Sequence, residues 1–153
     1  MALISASTLK REFDFIYADD PALDKENPLF DYDAWQDTGE LSRLPCKEGQ
    51  SPTVFRCHKL SASITMDIEF ALRRAQSMNE DAATNYGLSL AALSAVKHGL
   101  KSVENWDIEL EFESGALTDA SLDRLYDVAP GLVGHMGLTI YRESAGLSSS
   151  PKQ

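Results

Sequence analysis

Cys46, Cys57, His58, His98 and His135 are the side chains here that could hold zinc or run thiol chemistry. Structural zinc sites take such ligands in closely spaced pairs. The one close pair is Cys57-His58, and neighbours on a strand point to opposite faces, so the two do not converge on one ion. Gly87-Leu88-Ser89-Leu90-Ala91 begins like the Gly-x-Ser-x-Gly elbow that presents a nucleophilic serine. An elbow needs a strand-to-helix turn, and Ser89 lies inside a helical pattern, so it reads as a plain helix residue. Asp31-Tyr32-Asp33-Ala34-Trp35-Gln36-Asp37 has the alternating acids of a calcium loop. Trp35 stands where an oxygen ligand belongs and no glycine makes the sharp turn. Gly131, Gly134 and Gly137 lack both the spacing and the preceding strand of a dinucleotide fingerprint. Glu109, Glu111 and Glu113 would share one strand face, where they read as a solvated edge that resists edge-to-edge pairing. The expectation is a protein that is not an enzyme, with no catalytic residues, no cofactor and no metal.

Composition narrows the partners. The chain has 153 residues and a net charge of −10, with 43% apolar and 25% charged residues. That length predicts one domain with a core large enough to need no disulfide or metal. The densest basic pairs are Lys10-Arg11 and Arg73-Arg74, too few to displace counterions from phosphate, so nucleic acid is not an expected partner. No stretch is long and apolar enough for a membrane span. Met1–Ser7 is too short for the apolar core of a secretory signal. Cys46 and Cys57 are therefore expected as reduced thiols.

The elements that would position these side chains follow from periodicity. Phe13, Phe15 and Tyr17 alternate with Glu12, Asp14 and Ile16, which predicts a strand ended by Asp19-Asp20-Pro21. Residues 21–51 are an irregular acidic excursion carrying Pro21, Pro28 and Pro45, with a helical turn at 31–36. Its aromatics, Phe30 and Trp35, read either as a partner-binding segment or as side chains folded back on the core. Residues 52–60 predict a second strand, antiparallel to the first.

Residues 61–101 carry helical spacing in two sets, Ile64, Ile68, Leu72, Ala75, Met78 and then Ala83, Tyr86, Leu90, Leu93, Val96, Leu100. Two helices are expected, the second capped by Asn79 and stopped by Gly99 in a left-handed conformation. Asp107–Glu113 alternates strictly and predicts a strand, with Trp106, Ile108, Leu110 and Phe112 seating the helices that follow. Thr118 caps the next helix, with Leu122, Leu125 and Tyr126 on its buried side. Pro130 starts a last helix, ended by Gly146. The fold class expected is α+β and mostly helical: a small antiparallel β-ribbon packed on a bundle of four to five helices. Residues 1–146 would form the single domain and residues 147–153 a disordered tail.

The order of elements carries a resemblance. Pro52-Thr53-Val54-Phe55-Arg56 leads into an amphipathic helix, and a second helix ends in Val96-x-x-Gly99-Leu100. Asn105-Trp106 follows, then Leu117-Thr118-x-x-x-Leu122-x-x-Leu125 and the proline-started helix. Over about residues 10–146 this resembles the tail assembly chaperones of tailed bacteriophages. The resemblance implies a non-enzymatic protein of the host bacterial cytoplasm. It would bind the long, hydrophobic tape measure protein, or another phage structural protein, while the tail assembles. Homo-oligomers are compatible with it. Helices 62–78 and 83–99 would form an apolar groove with Ile68, Leu72, Leu90 and Leu93 among its contacts; the same four read equally well as core. Two other readings stay open: a minor virion structural protein at a neck or capsid surface, and an acidic inhibitor of a host defence protein.

Overall fold

The computed structural model describes residues 11–77 and 81–145. The fold is α+β, with five α-helices and a small antiparallel sheet among the described residues. Three strands make that sheet: β1 (Glu12–Phe15), β2 (Val54–His58) and β3 (Leu100–Glu104), in the order β1-β2-β3. Phe13 lies opposite Cys57, and Phe15 opposite Phe55, which itself faces Val103. The expected two-stranded ribbon thus gains a third strand. Leu100–Glu104 does not read as a strand from sequence because Leu100 fits the helical spacing of Leu93 and Val96, so the strand's start looks like the helix's end.

Gly99 explains how that junction works. It does not adopt a left-handed conformation, contrary to expectation; it is the last residue of the helix before β3. A Cβ there would stand 2.7 Å from Cγ2 of Ile140 and 3.1 Å from the His58 carbonyl. Glycine is needed for clearance, not for φ.

Two helices flank the sheet's apolar face: α3 (Asp81–Gly99) and α5 (Pro130–Ser144). Ala91, Ala95 and Val96 of α3 meet Val133, Met136 and Ile140 of α5, all buried, over Phe15, Phe55 and Cys57. At Gly137 the two helices nearly touch, since an added Cβ would lie 2.6 Å from the Ala92 Cα. Helix α2 (Ala62–Ser77) packs along α3. The expected cap Asn79 and Met78, the last residue of the first helical set, fall outside the described residues, as do Gly146 and the tail.

The acidic excursion is folded, with a second small core of its own. Ile16, Leu23, Trp35 and Leu44 are buried together, and Phe30, Tyr32, Cys46 and Val54 pack against them. Helix α1 (Tyr32–Thr38) runs two residues beyond the expected turn. Asp31 caps it by accepting from Ala34 N–H at 3.1 Å. Gly39, at φ 74°, ends it, a left-handed position that glycine adopts without cost. A 3₁₀ turn, Leu41–Arg43, follows. Cys46 lies in this second core and Cys57 in the first, both as free thiols.

The stretch 107–113 is corrected most. Only Phe112–Glu113 (β4) is strand, paired in a short hairpin with Ala116–Leu117 (β5). Residues 107–110 lie outside any strand, since Asn105, at φ 66°, turns the chain away from the sheet, and Glu111 extends the hairpin by one bond, its carbonyl accepting from Thr118 N–H at 2.9 Å. Side chains hold the stretch as well. Glu111 N–H donates to the buried Ser121 hydroxyl at 2.8 Å, and Arg124 donates to the Glu109 carbonyl at 2.7 Å. Trp106, Ile108 and Leu110 do pack on the core, with Trp106 edge-on to Phe55 at 6.0 Å. Phe112 is exposed, contrary to expectation. Thr118 caps α4 (Asp119–Val128), accepting from Ser121 N–H at 3.2 Å. Leu122 and Leu125 are buried, but Tyr126, one helical position further round, is 43% exposed. No helix among the described residues is long and apolar enough to cross a membrane.

Candidate functional site

Strand β1 occupies one edge of the sheet. Its hydrogen-bond phase is fixed by a contact just before it: Lys59 N–H donates to the Arg11 carbonyl at 2.7 Å. In an antiparallel ladder hydrogen-bonded pairs alternate with non-bonded ones. Phe13 and Phe15 therefore turn their N–H and C=O groups towards β2, while Glu12 and Asp14 turn theirs outward. Among the described residues nothing hydrogen-bonds those outward groups. The free edge ends at Ile16, whose carbonyl accepts from the Tyr32 hydroxyl.

A cavity of about 560 Å³ runs along this edge, touching every residue from Glu12 to Ile16. Successive strand side chains point to opposite faces, so a cavity that meets five in a row follows the strand's edge. Its opposite wall is α5, through His135, Thr139, Arg142 and Glu143. Trp35, Gln36, Gly39 and Leu41 close one end.

The two sides of the groove differ in chemistry. On the sheet's open face the charges alternate strand by strand. Arg56 of β2 donates through Nη1 to both Asp14 carboxylate oxygens of β1 at 2.7 Å. Its Nε and Nη2 reach Glu104 Oε2 of β3 at 3.0 and 2.6 Å. His58 Nε2 lies 3.2 Å from Glu12 Oε2. Glu12–His58 and Asp14–Arg56 are the non-hydrogen-bonded pairs, where cross-strand side chains come closest. These groups are all partly exposed, so they fix register more than they add stability.

On the other face the wall is aromatic. Phe13, Phe15 and His135 line it, with His135 edge-on to Phe15 at 5.3 Å; Tyr17 and Tyr32, outside the lining, each stand 6.0 Å from the His135 ring. Burial pushes the His135 imidazolium pKa down; Arg142 adds to this, and Asp19 opposes it. The ring is therefore neutral at pH 7 and lends the wall a polar but uncharged tip. Burial likewise pushes the Tyr32 phenol well up, so its hydroxyl stays a donor.

No protein-family model, curated protein or solved structure matches this chain.

The residues singled out for partner binding are not brought together. Ile68 is 3% exposed, and Leu72 and Leu93 pack half-buried against the same core, so the seam of α2 and α3 is filled. Leu90 is 44% exposed. On α2 the large apolar side chains left exposed, among those described, are Met66 and Phe70, one turn apart. Trp35 is taken up by the second core, with Phe30 half-buried on it; Trp35 reaches the groove only as its end wall. Ser89 lies exposed on α3. No group of three His, Cys, Asp or Glu among the described residues is placed to hold a metal. Glu111 and Glu113 are exposed, as Glu109 is.

The groove residues Glu12, Asp14, Arg56 and Glu104 were missed. Each is one charge in a short strand. Only the register shows that they align, although the acid–apolar alternation from Glu12 to Ile16 was a visible sign of a strand with an open face.

Proposed function

We propose that this protein is a non-enzymatic binding protein that holds another chain during assembly. Its nearest functional type is the tail assembly chaperone, with a tape measure protein as the partner and the host bacterial cytoplasm as the place. The observation that carries the binding role is the groove beside β1: a strand edge unpaired among the described residues, an aromatic wall and a charged wall around one cavity of about 560 Å³. Concave sites of this size, mostly apolar with a few placed polar groups, are where ligand segments bind. The residues of the resemblance supply the scaffold around it. Phe55 and Leu100 lie in the core beneath the sheet, Leu117 beside them, and Trp106 packs on Phe55.

The test is co-expression with the product of a long, helical open reading frame adjoining the gene. Co-elution of the two chains, with this protein missing from purified particles, supports the reading. Recovery of this protein in intact particles supports a minor virion structural protein instead. Salt-sensitive capture of a host nuclease supports the acidic inhibitor.

A further inference from the structure

We propose that the groove captures its partner by strand addition: an extended segment with alternating apolar and basic residues pairs with the outward edge of β1 as a fourth strand. This rests on the binding role proposed above, and it specifies the segment. The outward N–H and C=O groups of Glu12 and Asp14 are a template of four main-chain hydrogen bonds, and edge strands are the usual acceptors of an added strand.

Charge selects what pairs there. The open face of the sheet runs acid, base, acid: Glu12 and Asp14 on β1, Arg56 on β2, Glu104 on β3. A fourth strand beside β1 meets the acids, so the sequence of signs calls for Lys or Arg. The cavity as a whole agrees, with Glu12, Asp14, Glu104 and Glu143 against Arg56 and Arg142. Alternate residues of the segment would point to the opposite side, between Phe13 and the α5 wall at His135 and Thr139, which suits aliphatic side chains. A second copy of this chain fits poorly. Its own β1 would bring Glu12 and Asp14 beside the same two residues, and like charges directly opposite are destabilising. A partner not yet in its final fold has the free backbone this mode requires.

The probe is a blocked heptapeptide of alternating lysine and isoleucine, titrated into the whole protein while amide exchange is followed by NMR. Expected are saturable binding, protection of the Glu12 and Asp14 amides, and affinity at least about tenfold weaker when glutamate replaces lysine. N-methylating the peptide on the amides that face β1 should abolish binding, and on the opposite amides should not. Glu12→Pro should weaken it too, because that N–H points away from β2 and the ladder survives its loss. Binding without protection of Glu12 and Asp14, or none, overturns strand addition. So does protection already present without peptide: if it fades on dilution a second copy fills the edge, and if it persists this chain covers it. Co-elution of the full-length partner, measured separately, tells the two failures apart. If co-elution survives while the peptide fails, only the mode is wrong. If the peptide binds while co-elution fails, only the partner is wrong.

Discussion

The two edges of the central sheet are treated differently. β3 lies against the β4–β5 hairpin, and Lys101 of β3 donates to the Gly115 carbonyl at 2.6 Å, tying the hairpin tip to the strand. β1 faces a cavity instead. Both strands join β2 through antiparallel pairing, and both contribute an acid to Arg56. Local sequence therefore does not set them apart; what packs beside each one does. An edge left uncovered among the described residues of a folded domain invites pairing. This one is short and acidic, which narrows what can pair to basic segments.

The comparison predicts a division of labour: changes on the closed side cost folding, and changes on the open side cost binding. The largest effect should come from Gly137→Ala. Its Cβ would stand 2.6 Å from the Ala92 Cα. Overpacking costs about 1–3 kcal/mol or more, and backbone cannot rotate aside, so the upper end applies. The gain in helix propensity, about 1 kcal/mol, does not offset it. Urea denaturation should show a lower midpoint; an unchanged one would mean that α3 and α5 stand further apart. Trp106→Ala comes next. Full burial of tryptophan is worth about 3–5 kcal/mol. Trp106 is only half-buried beside Phe55, so about 2 kcal/mol is expected by the same denaturation. Thr118→Ala removes the α4 cap and should cost about 1 kcal/mol, whereas Thr118→Asn, which keeps a capping oxygen, should cost little.

Smaller still is a pH effect from the groove wall. The folded state holds the pKa values of His135 and His98 below the ordinary 6.5, in both cases chiefly through burial. The unfolded chain therefore binds more protons in that range, and stability falls as pH drops through about 6.5 towards the folded values. It is fully present above 6.5. Thermal melts between pH 7.5 and 5 should show the decline, and His135→Gln should flatten it. A decline left untouched by that change would assign it to His98. Glu12→Pro should be the least destabilising of all, and yet reduce peptide binding.

The sequence revealed some of these features and hid others for identifiable reasons. The elements with strong periodicity or chemical punctuation were legible: the antiparallel pairing of 12–15 with 54–58, the paired helices, Thr118 as cap and Pro130 at a helix start. Leu100–Glu104 was hidden because its strand character depends on pairing with β2, which lies over forty positions earlier. Asp107–Glu113 misled for the converse reason: perfect alternation forms no strand without a neighbour to pair with. The groove was least visible. Leu90, Leu93, Ile68 and Leu72 announce themselves by spacing, and spacing marks burial before it marks binding. Asp14, Arg56 and Glu104 stand on three separate strands, so no local pattern links them.

The central claim is that the outer edge of β1 is open. Residue-by-residue hydrogen exchange in the free protein tests it most directly. The amides of Phe13 and Phe15, bonded to β2, should exchange slowly, and those of Glu12 and Asp14 quickly, giving a period-two alternation along the strand. Equal protection at all four would contradict it, because the edge would then already be paired.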